Sequence, residues 1–185
     1  MRVVGGIYKG RRLAAPSGRS TRPTADRVRE SVFNLLGPVE GARVLDLYAG
    51  SGALGIEALS RGAAAATFVD SDARAVSAMR ANLERLELEH ARAVKASAPS
   101  FLRSAARAGE RWDLAFCDPP YRLAPRLAPE LGKLLPPVLE AQARIVCESS
   151  HRQPLRLGLP LLSERRYGDT VIAIYSCAGT ETAGV

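Results

Sequence analysis

The chain has 185 residues, 46% hydrophobic and 24% charged, which suits one soluble globular domain with a sizeable core and excludes a low-complexity chain. The start, Met1-Arg2-Val3-Val4-Gly5-Gly6, lacks the apolar core of a signal peptide, and no apolar run approaches the ~18 residues of a membrane span. The net charge of +7 sits wholly in residues 1–29, where Arg2, Lys9, Arg11, Arg12, Arg19, Arg22, Arg27 and Arg29 face only Asp26, while the rest balances 18 basic against 18 acidic residues.

Such a polarised segment is either a solubilising tail or a surface for a phosphate backbone. Its residues 2–14 alternate loosely around Gly5-Gly6 and Lys9-Gly10, which predicts a short β-hairpin or extended arm. Residues 15–23, rich in Pro, Ser, Gly and Arg, read as a mobile loop. Thr24 can cap the next helix, with Asp26 in its first turn and Val28, Val32, Leu35 and Leu36 on its apolar face, and Gly37-Pro38 stops it. Arg27, Arg29 and Glu30 lie off that face and point at a ligand or at water.

From residue 43 strands and helices alternate. Strand 43–48 enters a glycine turn and helix 53–61, and strand 65–70 ends in Asp70. Helix 72–87 carries Val76, Met79, Leu83 and Leu86 on one face with Ser71 as its cap. Strand 91–96, helix 99–108, strand 113–117, a Pro-broken helical stretch 125–141 and strand 143–148 continue the pattern. The alternation predicts an α/β fold with a parallel sheet and helices on both faces. Two β-rich runs, 161–167 and 170–177, join at Gly168-Asp169 and read as an antiparallel hairpin closing that sheet; 178–185 reads as a frayed tail. Cys117, Cys147 and Cys177 lie in strand-like runs and are expected to be buried thiols in a cytoplasmic protein; His90 and His151 are too isolated to suggest a metal.

Two motifs carry chemistry. Gly50-Ser51-Gly52 with Gly55 forms G-x-G-x-x-G between a strand and a helix, and Asp70 follows at the distance of an acid that accepts from ribose hydroxyls. Asp118-Pro119-Pro120-Tyr121 follows the fourth strand of the alternation. Its prolines stiffen the backbone, so the Asp118 carboxylate and Pro119 carbonyl form a rigid pair of acceptors beside the Tyr121 ring. That set suits a planar base with an exocyclic amine, held by two acceptors and stacked on an aromatic face.

These residues resemble class I S-adenosylmethionine-dependent methyltransferases, with Asp46-Leu47-Tyr48-Ala49-Gly50-Ser51-Gly52 similar to their first cofactor motif and Asp118-Pro119-Pro120-Tyr121 similar to the catalytic motif of amine methylators. Together with Arg2-Val3-Val4-Gly5-Gly6, the segment from Thr21 to Asn34, and the run from Leu47 to Gly62, they resemble the RsmD family, bacterial enzymes that methylate N2 of a guanine in small-subunit ribosomal RNA. The resemblance implies a Rossmann-like, mostly parallel seven-stranded sheet with a C-terminal antiparallel hairpin. It implies an arm at 1–23, a methyltransferase domain at 24–177 and a tail at 178–185. It puts S-adenosylmethionine against Asp46, Tyr48, Ala49, Gly50, Ser51, Gly52, Asp70, Ser71, Ser97, Ala98 and Asp118, catalysis at Asp118, Pro119, Pro120 and Tyr121, and RNA at Arg2, Lys9, Arg11, Arg12, Arg22, Thr24, Arg27 and Arg29. One departure stands out: many relatives carry Asp or Asn where this chain has Ala96-Ser97-Ala98, so Ser97 or a backbone group serves the adenine.

The expected partner is ribosomal RNA or a small-subunit particle, with no metal, no membrane and a monomer as the default state. Rival readings are adenine-N6 methylation of DNA or RNA, an NAD(P)-dependent oxidoreductase and a non-catalytic RNA-binding module. The oxidoreductase lacks an evident acid–base dyad and leaves Asp118-Pro119-Pro120-Tyr121 unexplained. The intact motif opposes a non-catalytic module, and the short chain leaves no room for a separate DNA-recognition domain.

Overall fold

The computed structural model describes residues 1–16 and 26–177. The expected cap Thr24, most of the 15–23 loop and the 178–185 tail lie outside the described residues. The chain forms two compact units, Met1–Ala98 and Pro99–Val185.

In the first unit, helix α1 (Asp26–Leu36) buries Val32, Phe33 and Leu36 and ends where Gly37, at φ 70°, donates its N–H to the Phe33 carbonyl. Strand β1 (Arg43–Leu47) leads through the glycine turn to helix α2 (Ala53–Ser60). Strand β2 (Ala65–Asp70), helix α3 (Ala73–Arg85) and strand β3 (Ala91–Lys95) follow. The three strands pair in parallel with β2 central, so Phe68 and Val69 are fully buried. All four apolar residues expected on the face of α3 are buried. Its cap is Asp72 rather than Ser71, because the Asp72 carboxylate accepts from the Arg74 N–H two residues on, within the first turn, at 2.9 Å.

The arm is docked against this unit. Arg2 and Arg12 form an antiparallel bridge, and Val3 and Leu13 are buried. Side chains of the helices grip its main chain. Glu57 accepts from the Val4 N–H at 2.8 Å, and Ser60 Oγ donates to the Gly5 carbonyl and accepts from the Tyr8 N–H. A Cβ on Gly6 would fall 1.7 Å from the Ser60 carbonyl, so this approach requires glycine.

Helix α4 (Ala98–Ala108) begins at the last residue of the first unit and otherwise belongs to the second. The second unit has strand β4 (Trp112–Cys117), helix α5 (Ala124–Leu134) with Pro129 inside it, and a 3-10 turn at Pro136–Val138. Strands β5 (Leu139–Ser150), β6 (Leu161–Tyr167) and β7 (Thr170–Ser176) complete it. β4 and β5 are parallel, and β7 runs antiparallel to both β5 and β6. Among the described residues there are thus seven strands, mostly parallel, with the expected antiparallel hairpin turning at Gly168-Asp169. β5 begins four residues earlier than its apolar core suggests, because the register shift between Trp112 and Leu114 lets Leu139 pair with Trp112. Cys117 and Cys147 are buried free thiols, whereas Cys177 at the end of the hairpin is only half-buried.

Candidate functional site

In the first unit, the turn after β1 is built from left-handed backbone. Tyr48, Gly50 and Gly52 have φ of 59°, 56° and 80°. A tyrosine in that region is strained, and the surrounding bonds hold it there. Ala49 donates its N–H to the Val69 carbonyl, Gly52 donates to Ala49, and Gly50 donates to Asp70 Oδ2 at 2.9 Å. Asp70 Oδ1 accepts from the Asp72 N–H at 2.9 Å, so both carboxylate oxygens brace backbone while each keeps a further lone pair.

The three glycines differ in role. A Cβ on Gly55 would sit 2.3 Å from the Phe68 ring, so this residue lets α2 pack on β2. A Cβ on Gly52 would press on Met79 and Phe68 at 3.2 and 3.3 Å. A Cβ on Gly50 would meet nothing nearer than the Tyr48 carbonyl at 4.0 Å. Gly50 is required by its φ, and the space beside it is open to a ligand. This open, braced turn fits a nucleoside-bearing cofactor without a pyrophosphate, with Asp70 placed for hydroxyls.

Asp46 is buried behind the turn and accepts from the Gly55 N–H at 2.9 Å. Burial pushes its pKa up to about 7; the Gly55 hydrogen bond opposes this and the Asp70 charge adds to it. Ser51 is buried, and its Oγ donates to Met1 Sδ at 3.3 Å. Ser71 and Ser97 are exposed at the ends of β2 and β3, whose neighbouring residues Asp70 and Lys95 pair, and Ala98 is buried at the start of α4. Asp46, the 48–52 turn, Asp70 and Ser97 thus gather at the carboxyl ends of three adjacent parallel strands, where ligands of such sheets bind.

In the second unit, Asp118-Pro119-Pro120-Tyr121 leaves the carboxyl end of β4. Pro119 is buried and Pro120 exposed, and the Leu123 N–H bonds to the Pro120 carbonyl at 2.8 Å. The Tyr121 hydroxyl donates to Glu148 Oε1 at 3.4 Å. Burial raises the Tyr121 pKa; a hydrogen bond with Thr170 opposes this, and the Glu148 and Asp118 carboxylates raise it further. The phenol therefore stays neutral, and its ring is held beside two acids. Glu148, 6% exposed on β5, is a site neighbour that sequence reading missed. The available signal was an acid inside the apolar run Ile145-Val146-Cys147-Glu148.

The basic residues divide. Arg2, Lys9, Arg11, Arg12 and Arg27 are exposed, and Arg22 and Thr24 lie outside the described residues. Arg29, expected at an RNA surface, is 0% exposed. Its guanidinium donates to the Arg2 carbonyl and to Asp26 Oδ1 at 2.9 Å and lies 3.6 Å from Glu57. Burial of Glu57 requires that cation, so Arg29 holds the arm from beneath and is not an RNA contact. Arg61, over the Phe33 ring, pairs with the other Glu57 oxygen at 2.8 Å. Asn82, also fully buried, accepts from the Ala14 N–H at 2.8 Å and donates to the carbonyls of Ala14 and Ser51, both at 3.0 Å. It ties the arm to the glycine turn.

Among the described residues no helix is long and apolar enough to cross a membrane, and no cluster of three or more His, Cys, Asp or Glu is placed to hold a metal ion.

Comparison with known proteins adds to this geometry. The family model described as conserved hypothetical protein 95 matches residues 1–176. A Bacillus subtilis (strain 168) protein provisionally named an rRNA methyltransferase is 42% identical over 189 aligned residues, 97% of this chain and 100% of that protein. Ribosomal RNA small subunit methyltransferase D of Escherichia coli K12 is 46% identical over 123 residues, 66% of this chain and 61% of that protein. Among solved structures, an Escherichia coli protein provisionally described as a methyltransferase superposes with a TM-score of 0.82 at 38% identity, over 97% of this chain and 98% of its own. A Thermus thermophilus 16S rRNA N2 methyltransferase, solved with AdoMet and guanosine, shares the fold at a TM-score of 0.69 and 21% identity, over 88% of this chain and 45% of its own.

Proposed function

Because the chain belongs to the family described as conserved hypothetical protein 95, and relatives matched over 97% and 66% of its length carry rRNA methyltransferase names, we propose that it transfers a methyl group from S-adenosylmethionine to the N2 amine of a guanine in small-subunit ribosomal RNA. The observation that carries this reading is the open glycine turn braced by Asp70; the Asp-Pro-Pro-Tyr sequence that follows β4 in the second unit supports it.

When bound, the cofactor supplies an electrophilic methyl group. The chain's own residues supply position. Gly50, Ser51 and Gly52 offer backbone, Asp70 accepts from ribose hydroxyls, and Ser97 or its backbone faces the adenine. A guanine amine is a poor nucleophile because its lone pair is delocalised into the ring. Asp118 and the Pro119 carbonyl accept its two hydrogens and favour a pyramidal nitrogen, while Pro120 stiffens the turn and Tyr121 stacks the base. The proton leaves to Asp118 or to water. The exposed cations Arg2, Lys9, Arg11, Arg12 and Arg27 meet RNA phosphates, so binding is salt-dependent. This activity belongs in the cytoplasm, where ribosomes assemble, and needs only a monomer.

The experiment is transfer of a labelled methyl group to unmodified small-subunit rRNA and to assembled subunits, followed by nucleoside analysis. N2-methylguanosine supports the reading. N6-methyladenosine as the only product replaces it with the adenine alternative.

A further inference from the structure

The arm and α3 enclose a hollow of about 170 Å³ lined by Arg11, Arg12, Arg85 and Leu86. Arg85 ends α3, far from the basic tract in sequence, and nothing in the sequence reading linked it to RNA. Some exposed arginines have carboxylate partners, as Arg2 has Asp26, Arg74 has Asp72 and Arg103 has Glu130. Among the described residues no such ion pair engages Arg11, Arg12 or Arg85. Three like charges around one hollow repel unless an anion joins them.

The walls are fixed before any ligand arrives. Asn82 holds both, since its Oδ1 accepts from the Ala14 N–H at 2.8 Å and from the Arg85 guanidinium at 3.4 Å. The Arg11 carbonyl accepts from the Val3 N–H at 3.0 Å, and Leu13 is buried. Only arginine side chains need to order on binding.

We propose that this hollow is a phosphodiester seat for the RNA substrate, and that Arg85 extends the RNA surface from the arm onto α3. The inference rests on the rRNA methyltransferase reading. Guanidinium forks match phosphate oxygens two at a time. A polyanion seated here also reaches Arg2, bridged to Arg12, which a free phosphate does not.

The test compares the full chain with Arg85→Gln and with Arg107→Gln, an exposed arginine of α4 that controls for net charge. Binding of unmodified small-subunit rRNA is measured against KCl, and S-adenosylmethionine binding without RNA checks that each variant is folded. Arg85→Gln should flatten the slope of log K against log salt by roughly 0.7–0.9, severalfold in affinity at low salt, while Arg107→Gln changes neither. Equal curves for Arg85→Gln and the parent overturn the seat and leave the rRNA reading standing. A parent chain that binds inorganic phosphate through Arg85 but neither binds nor methylates RNA overturns both.

Discussion

The N–H of Gly50 donates to the Asp70 carboxylate at 2.9 Å, so the acid at the end of β2 shapes the turn at the end of β1. Asp70 therefore has two tasks, holding the loop and meeting the ligand. Asp70→Ala should weaken S-adenosylmethionine binding by roughly tenfold or more, and leave the Gly50 and Asp72 N–H groups without their acceptor at a cost of about 1–3 kcal/mol. Calorimetric titration and a denaturant melt read the two effects separately.

The glycines of the turn should separate stability from binding. Gly55→Ala forces a methyl into the Phe68 ring and should cost about 1–3 kcal/mol, seen as a Tm several degrees lower. Gly50→Ala meets open space, so its stability cost is limited to about 1–2 kcal/mol for left-handed backbone, but its methyl intrudes where the cofactor is proposed to lie. Gly50→Ala should lose more cofactor affinity than Gly55→Ala, and the reverse order would assign Gly50 a purely structural role.

Asp46 gives a pH dependence. Its native pKa of about 7 lies above the ordinary 3.8, so the native state holds the proton more tightly than the unfolded chain. The resulting stabilisation is whole below about pH 4 and is lost as pH rises through about 7, on the order of a few kcal/mol. Asp46→Asn should flatten this part of the profile, measured as the difference between variant and parent melts from pH 4 to 8. An unchanged profile would show that Asp46 titrates alike in the native and the unfolded chain.

Asp118→Ala should bind S-adenosylmethionine like the parent but transfer methyl groups at least a hundredfold more slowly, the scale of losing one positioned transition-state contact. Near-parental turnover in a single-turnover labelling assay removes Asp118 from the reaction.

Replacement of Lys9, Arg11 and Arg12 by Gln should weaken RNA binding and reduce its salt slope by about two to three. Arg29→Gln should behave differently: it strips the buried Glu57 of a cation and should cost about 3–5 kcal/mol of stability. Thermal melts beside filter binding distinguish the two.

Elements with local signals were legible. The bounds of β2 and the turn at Gly168-Asp169 agree with the sequence pattern, because alternation and turn chemistry are short-range. The glycine turn and its acid were legible from spacing. Buried polar residues were not. Arg29 follows Val28 in a helix, and its partners Glu57 and the Arg2 carbonyl come from elements remote in sequence. Asn82 occupies the apolar stripe of α3 between Met79 and Leu83, where periodicity gives no reason to expect an amide. Glu148 reads as an interruption of a strand until Tyr121 is brought to it.

The buried grips on the arm close on main chain: Glu57 on Val4, Ser60 on Gly5 and Tyr8, Asn82 on Ala14, while Ser51 and Asp26 meet the side chains of Met1 and Arg2. The letters written at positions 9, 11 and 12 thus have no part in fastening it. The tract behaves as an interchangeable cassette, in which drift or design can rewrite the charge shown to a nucleic acid while the scaffold beneath keeps its hold.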